Sequence, residues 1–224
     1  MANIARVEVL FKSPGPQPNG LQAAPDGLWC IDQGDNRVYR LDYGTGRTLF
    51  EAQTTTDRSS GITVGGGFLW VASTYNARIA RLDIDTAETM EEYDCPGKGI
   101  VAWRDPAEDA RVTGAHGLEW RDGLLYVASP PSQHVHVMDV ATWRCLREFR
   151  APGIRVHGLA WADDGTLWAA DTTAGTVSRL DTRDGRVLDA FRVEAPAEVH
   201  GLTMHEGVLW YCDAHTCDIG RLII

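Results

Sequence analysis

The dipeptide Gly-(Leu/Ile) returns five times along this chain in one fixed context, and a repeat of that length rules out most ways a chain can fold. Asn19-Gly20-Leu21 leads to Leu28-Trp29 and then Asp32, and Ser60-Gly61-Ile62 leads to Leu69-Trp70 and Ser73. His116-Gly117-Leu118 leads to Leu125-Tyr126 and Ser129, His157-Gly158-Leu159 to Leu167-Trp168 and Asp171, and His200-Gly201-Leu202 to Leu209-Trp210 and Asp213. The residue before the glycine precedes the last-named residue by 13 positions, or by 14 in the His157 copy. Most copies continue into a third segment of one type, such as Val38-Tyr39-Arg40-Leu41-Asp42 or Ile219-Gly220-Arg221-Leu222. The repeat glycines are 41, 56, 41 and 43 residues apart.

Each copy alternates short β-rich segments with turns such as Pro25-Asp26-Gly27 and Asp163-Asp164-Gly165, which is the pattern of an antiparallel meander. A four-stranded unit of this size repeated radially predicts an all-β protein, a single five-bladed β-propeller of four-stranded antiparallel blades filling residues 1–224. The last copy has room for only three strands, so Arg6–Phe11 is expected to return and supply the fourth, closing the ring and removing its open edge. Trp29, Trp70, Trp168 and Trp210 occupy one repeat position and are expected to pack between blades. The long 56-residue spacing hides an insertion, 98–113, just before a first strand, where it would lie over one mouth of the channel as a lid.

In such a blade the first strand lines the axis and the second runs back beside it. The start of one and the end of the other then share a mouth. The inner ring reads Asn19, Ser60, His116, His157, His200, and the second ring Asp32, Ser73, Ser129, Asp171, Asp213. Three imidazoles converging from three sides suit a divalent transition metal, with His116, His157, His200 and Asp171 as expected ligands. Zn, Mn or Fe fits this donor set better than Mg or Ca, which prefer more oxygen. Two residues earlier on the same strand face stand Gln17, Arg58, Gly114, Arg155 and Glu198. Arg58 and Arg155 together would clasp a carboxylate, with Arg111 of the insertion, Asn19 and Ser60 as further substrate contacts. The competing reading of the ring is a water-filled channel whose polar groups bond one another. Cys212, His215 and Cys217 have too loose a spacing to define a site, and His134, His136 and His205 have no evident partner.

A net charge of −10 argues against nucleic acid, and no apolar run reaches membrane-spanning length. Five cysteines, an odd number, and an N-terminus without an export pattern lead us to expect reduced thiols and a cytoplasmic protein, monomeric or a small homo-oligomer. Phosphate loops, nucleophile elbows and dinucleotide fingerprints are absent from the sequence.

The pattern Gly-(Leu/Ile), Leu-Trp-x-x-Asp and Ile-Gly-Arg-Leu, clearest from His200 to Leu222, resembles the blade repeat of the streptogramin B lyases and, more loosely, of SMP-30/NHL-type propellers. The first group is metal-dependent and opens a lactone by elimination, using a metal-binding carboxylate and a catalytic histidine at the channel mouth. The resemblance puts those roles on Asp213 and His200, with five repeats where that family has seven. With the histidine ring and the arginine pair, it leads us to expect a metal-dependent lyase acting on a small oxygenated carboxylate, by elimination or aldol-type cleavage, with Asp32 or Asp213 moving the proton. The alternatives are a lactonase of the SMP-30 type, in which the metal activates water, and a non-catalytic propeller that binds a ligand or protein. A glutaminyl cyclase would match the blade count, though no motif supports it.

Overall fold

The structure, a computed structural model, describes residues 3–224 and holds twenty strands, β1 to β20 in chain order, with no helix among the described residues. Three sheets are separate four-stranded antiparallel meanders: β2–β5 over 18–53, β6–β9 over 59–94 and β10–β13 over 117–150. The fourth has eight strands, in the order β14-β15-β16-β17-β1-β20-β19-β18. It resolves into two runs of four. One is β14–β17 over 156–193, and the other is β18–β20 over 202–223 completed by β1 (Asn3–Lys12). The expected returning strand is there: Arg6 faces Ile223, Val7 faces Leu222 and Phe11 faces Ile219, antiparallel. The two runs count as one sheet because Asn3–Ala5 also pairs in parallel with Phe191–Val193 of β17 (Val187–Val193).

The inner strands are β2 (Pro18–Ala24), β6 (Ser59–Gly65), β10 (Gly117–Arg121), β14 (Val156–Trp161) and β18 (Leu202–His205). Their repeated glycine is required by how closely neighbours approach around the axis. A Cβ on Gly61 would lie 2.4 Å from the His116 carbonyl oxygen, one on Gly117 2.1 Å from that of His157, and one on Gly201 2.7 Å from the Leu21 amide. The last inner strand therefore abuts the first, and the ring is shut.

The core lies between sheets, one cluster per junction. Trp29 packs with Ile62 and Leu69 of the following sheet, and Trp70 with Leu118 and Leu125. Tyr126 meets Leu159 and Leu167, and Trp168 meets Leu202 and Leu209. Trp210 meets Leu21 and Leu28, so the same aromatic-on-leucine joint seals the closure. Each such leucine, fully buried, contributes about 2 kcal/mol.

Candidate functional site

Strand starts and strand ends meet at one mouth, and a cavity of about 140 Å³ opens there. His116, His157 and His200 form its floor, with Asn19, Gln17, Gln33, Arg155 and His215 around it. The 98–113 segment is pinned at its base by paired backbone bonds between Gly99 and Thr113, and Val101, Trp103 and Arg104 from it line the cavity. The Trp103 ring stands edge-on to His116 at 6.1 Å, and the Arg155 guanidinium lies 5.4 Å over Trp103. Arg104 is held by Asp109 at 2.7 Å and by the Tyr75 hydroxyl at 3.2 Å.

The three imidazoles are buried, at 8%, 3% and 2% exposure for His116, His157 and His200. Burial pushes His116 down to about 3, helped by the charges of Arg155 and Arg104. It pushes His200 down to about 4, against the pull of the Glu198 carbonyl, and His157 well below its ordinary value. All three are neutral at pH 7. His116 Nδ1 and His157 Nε2 are 2.7 Å apart, so one N–H serves both rings. His157 Nδ1 has no partner in either tautomer, and neither do Arg155 Nε and Asn19 Oδ1. With Thr113 Oγ1 they gather four unpaired buried atoms around one cavity, which marks a place for a ligand. His200 Nδ1 lies 3.2 Å from the Glu198 carbonyl, which can only accept, and 3.4 Å from the Ala214 amide, which can only donate, so its tautomer sets which of the two bonds is made.

The second-ring carboxylates hold the backbone. Asp171 accepts from the amides of Arg155 (3.0 Å) and Ala174 (2.8 Å), and Asp213 from Glu198 (2.9 Å), His215 (2.8 Å) and Thr216 (3.1 Å). Asp32 accepts from Gln17, Gly34 and Asp35. Each carboxylate thus fixes the residue two before the inner ring, and so aims Arg155 and Glu198. Gly153 leaves room for this, since a Cβ there would lie 1.7 Å from Asp171 Oδ2. This corrects the expectations for Asp32, Asp171 and Asp213: oxygens aimed at backbone amides are turned from the cavity, and none of the three lines it.

The ligand set is corrected as well. The groups of three ligating side chains with atoms within 4.8 Å of one another are, among the described residues, Glu198/His200/His215 and His136/Cys145/Glu148. His116 and His157 bond each other instead, while His215, whose spacing defined no site, sits at the mouth with Nε2 3.2 Å from Glu198 Oε2. Of the expected substrate contacts, Arg155 and Asn19 line the cavity, whereas Arg58, Arg111 and Ser60 do not. Arg58 is exposed and points to Gln17, and Arg111 lies over the Tyr75 ring. Ser60 Oγ accepts from Gln33 and Thr74. Sequence reasoning gave no role to Gln33, Tyr75 or Trp103. Trp103, the one aromatic residue of the insertion, was the one available signal.

No family profile matches the chain, and no curated protein does. Solved structures do. Glutaminyl cyclase of Myxococcus xanthus superposes with a TM-score of 0.74 at 9% identity, covering 99% of this chain and 97% of that one. A streptogramin B lyase structure gives 0.58 at 17% identity, with 96% of each chain covered. A catalytically inactive virginiamycin B lyase from Staphylococcus aureus with quinupristin gives 0.56 at 21%, covering 92% of this chain and 66% of that one. The fold is that of a streptogramin lyase-like β-propeller.

Proposed function

We propose that the ring has five blades, the eight-stranded sheet counting as two, and that the chain is a metal-dependent lyase for a small oxygenated carboxylate. The observation that carries this reading is Arg155, a guanidinium in the cavity wall with an unpartnered buried Nε, beside three neutral imidazoles. It offers an anionic group one planar fork, and Arg104, already paired with Asp109, stands in the same cavity wall. The 98–113 segment acts as the lid that keeps water from the floor.

Glu198, His200 and His215 would hold the ion, through an imidazole nitrogen from each histidine and a Glu198 oxygen. Two imidazoles and one carboxylate suit Zn²⁺, Mn²⁺ or Fe²⁺. When bound, such an ion supplies Lewis-acid polarisation of a substrate oxygen. Arg155 anchors the carboxylate, and His157 or His116 accepts the α-proton and shares it across their 2.7 Å contact. The charges of Arg155 and Arg104 hold His116 down, so an anion seated on them raises its basicity as it arrives. Asp171 and Asp213 act through the backbone as positioning residues.

The test is α-proton exchange of candidate 2-oxo and 2-hydroxy acids in D₂O, with metal content measured in parallel. His200→Ala is expected to hold about one ion per chain less than the parent and to lose exchange. Exchange that survives in His200→Ala overturns the assignment. Product from ¹⁸O-labelled water separates hydrolysis, which incorporates label, from elimination or aldol cleavage. A second reading, cyclisation of a glutaminyl substrate, is favoured by the near-complete superposition on the Myxococcus enzyme. Two guanidiniums at the mouth repel the protonated form of the amine it would need, and ammonia release from a glutaminyl peptide is the assay that would promote it.

A further inference from the structure

We propose a second metal site, remote from the channel, on the outer strands of the third sheet: His136, Cys145 and Glu148 bind a thiophilic divalent ion such as Zn²⁺. His136 lies on β12 (His134–Asp139), and Cys145 and Glu148 lie on β13 (Arg144–Arg150). His136 faces Glu148 directly. Simple alternation would then put Cys145 on the opposite face, because it is three residues from Glu148. A register shift between Val137 and Met138 sets Cys145 opposite Met138, and this bulge returns its sulfur to the face of His136 and Glu148. One ligand atom from each of the three lies within 4.8 Å of the others.

Proton counting points to a cation. Ser132 Oγ is 3.0 Å from the Ser129 carbonyl and 2.9 Å from His136 Nε2, while His136 Nδ1 is 3.0 Å from Glu148 Oε2. Three contacts need three protons. One hydroxyl and one neutral imidazole supply two. A neutral ring leaves one of the three unmade; all three are met by a second ring proton, on a ring only 5% exposed, or by a metal ion between Nδ1 and the carboxylate. The sulfur beside that gap favours the metal. In the metal-bound state Nε2–H donates to Ser132, whose own O–H donates to Ser129, so the ring is fixed with its Nδ1 lone pair outward. The Cys145 thiol gives its proton to water as the Sγ–metal bond forms, and water completes a tetrahedral set.

The repeat offers no packing reason for this trio. The positions equivalent to His136 and Glu148 hold Tyr39 and Glu51, Ala80 and Glu92, and Ser178 and Ala190 in other sheets. A bound ion would staple the two outermost strands of one sheet, and would couple its rigidity to zinc supply and thiol oxidation.

The experiment is a Co²⁺ titration of the reduced full-length protein, followed by near-ultraviolet absorption. A thiolate-to-cobalt charge-transfer band is expected, saturating at about one equivalent and erased by Zn²⁺. Cys145→Ser, at an exposed position, should lose the band, and Glu148→Gln should weaken it at least tenfold. His200→Ala should keep it, because the mouth set contains no sulfur. No band in the parent protein, or an undiminished band in Cys145→Ser, overturns the proposal.

Discussion

The two ends of the central channel are built from the same five strands, three residues apart, and they use their polar groups in opposite ways. At the far end, Thr63 Oγ1 donates to Gln22 Oε1 at 2.6 Å and accepts from the Trp120 amide, and Thr203 Oγ1 accepts from the Ala23 amide. These bonds run from one inner strand to the next and lock the ring. At the mouth, His157 Nδ1, Asn19 Oδ1 and Arg155 Nε are buried and unpaired. The far end has unpaired atoms of its own, Trp120 Nε1 and Trp161 Nε1, but its hydroxyls bond from strand to strand, whereas the mouth leaves an imidazole, an amide oxygen and a guanidinium open. Stability and function are therefore separated along single strands, which lets the mouth vary without loosening the ring.

Acid separates the two ends most strongly. Burial depresses the mouth imidazoles below 6.5 and raises the Glu119 carboxyl, 3% exposed at the far end, well above 4.5. For the imidazoles, the unfolded chain takes up protons below 6.5 that the folded chain refuses, so their stabilisation is present above 6.5 and is lost as pH falls toward 4. Glu119 has the reverse sign: it favours the folded state at low pH and costs stability as pH rises above 4.5. Near pH 5.5 the slopes oppose, about three protons against one, at about 1.4 kcal/mol per pH unit for each proton. Urea unfolding at a series of pH values should show Glu119→Gln stabilised at pH 7 and more steeply weakened by acid. An unchanged slope breaks the comparison.

Arg155→Gln should reduce binding of small carboxylates at least a hundredfold, about 2.7 kcal/mol by titration calorimetry, with little change in melting temperature. Thr63→Val should do the opposite, costing about 1–2 kcal/mol of stability because it strands the Trp120 amide, while ligand binding is kept. Arg58→Ala should change either by less than about 0.5 kcal/mol, because its side chain is exposed and outside the cavity. A large loss of binding in Arg58→Ala would restore the two-arginine clasp expected from strand alternation.

That expectation shows where sequence stops. Glycine spacing and the Leu-Trp step are set by inner-strand contact and intersheet packing, so the ring and its closing strand could be read from residue types. Alternation then placed Arg58 and Arg155 alike. Arg58 instead takes a left-handed backbone, φ 51°, which breaks the alternation just before β6 begins. The aspartates were legible as a ring but not as clamps, since a carboxylate in a sequence carries no sign of whether an amide or a cavity faces it. His215 lies in a turn, where no period predicts direction. The bulge that turns Cys145 toward His136 inserts one residue and is equally silent.

The closing strand has a consequence during synthesis. β1 is made long before its partner β20 (Asp218–Ile223), from which almost the whole propeller separates it in sequence. At about 5–20 residues per second, β1 waits roughly 10–40 s on the ribosome with both edges bare. Its alternation of Arg6, Glu8 and Lys12 with Val7, Val9 and Phe11 puts charge on the waiting ribbon. Charge of that kind discourages pairing with a neighbouring nascent chain until the strand's own partner arrives.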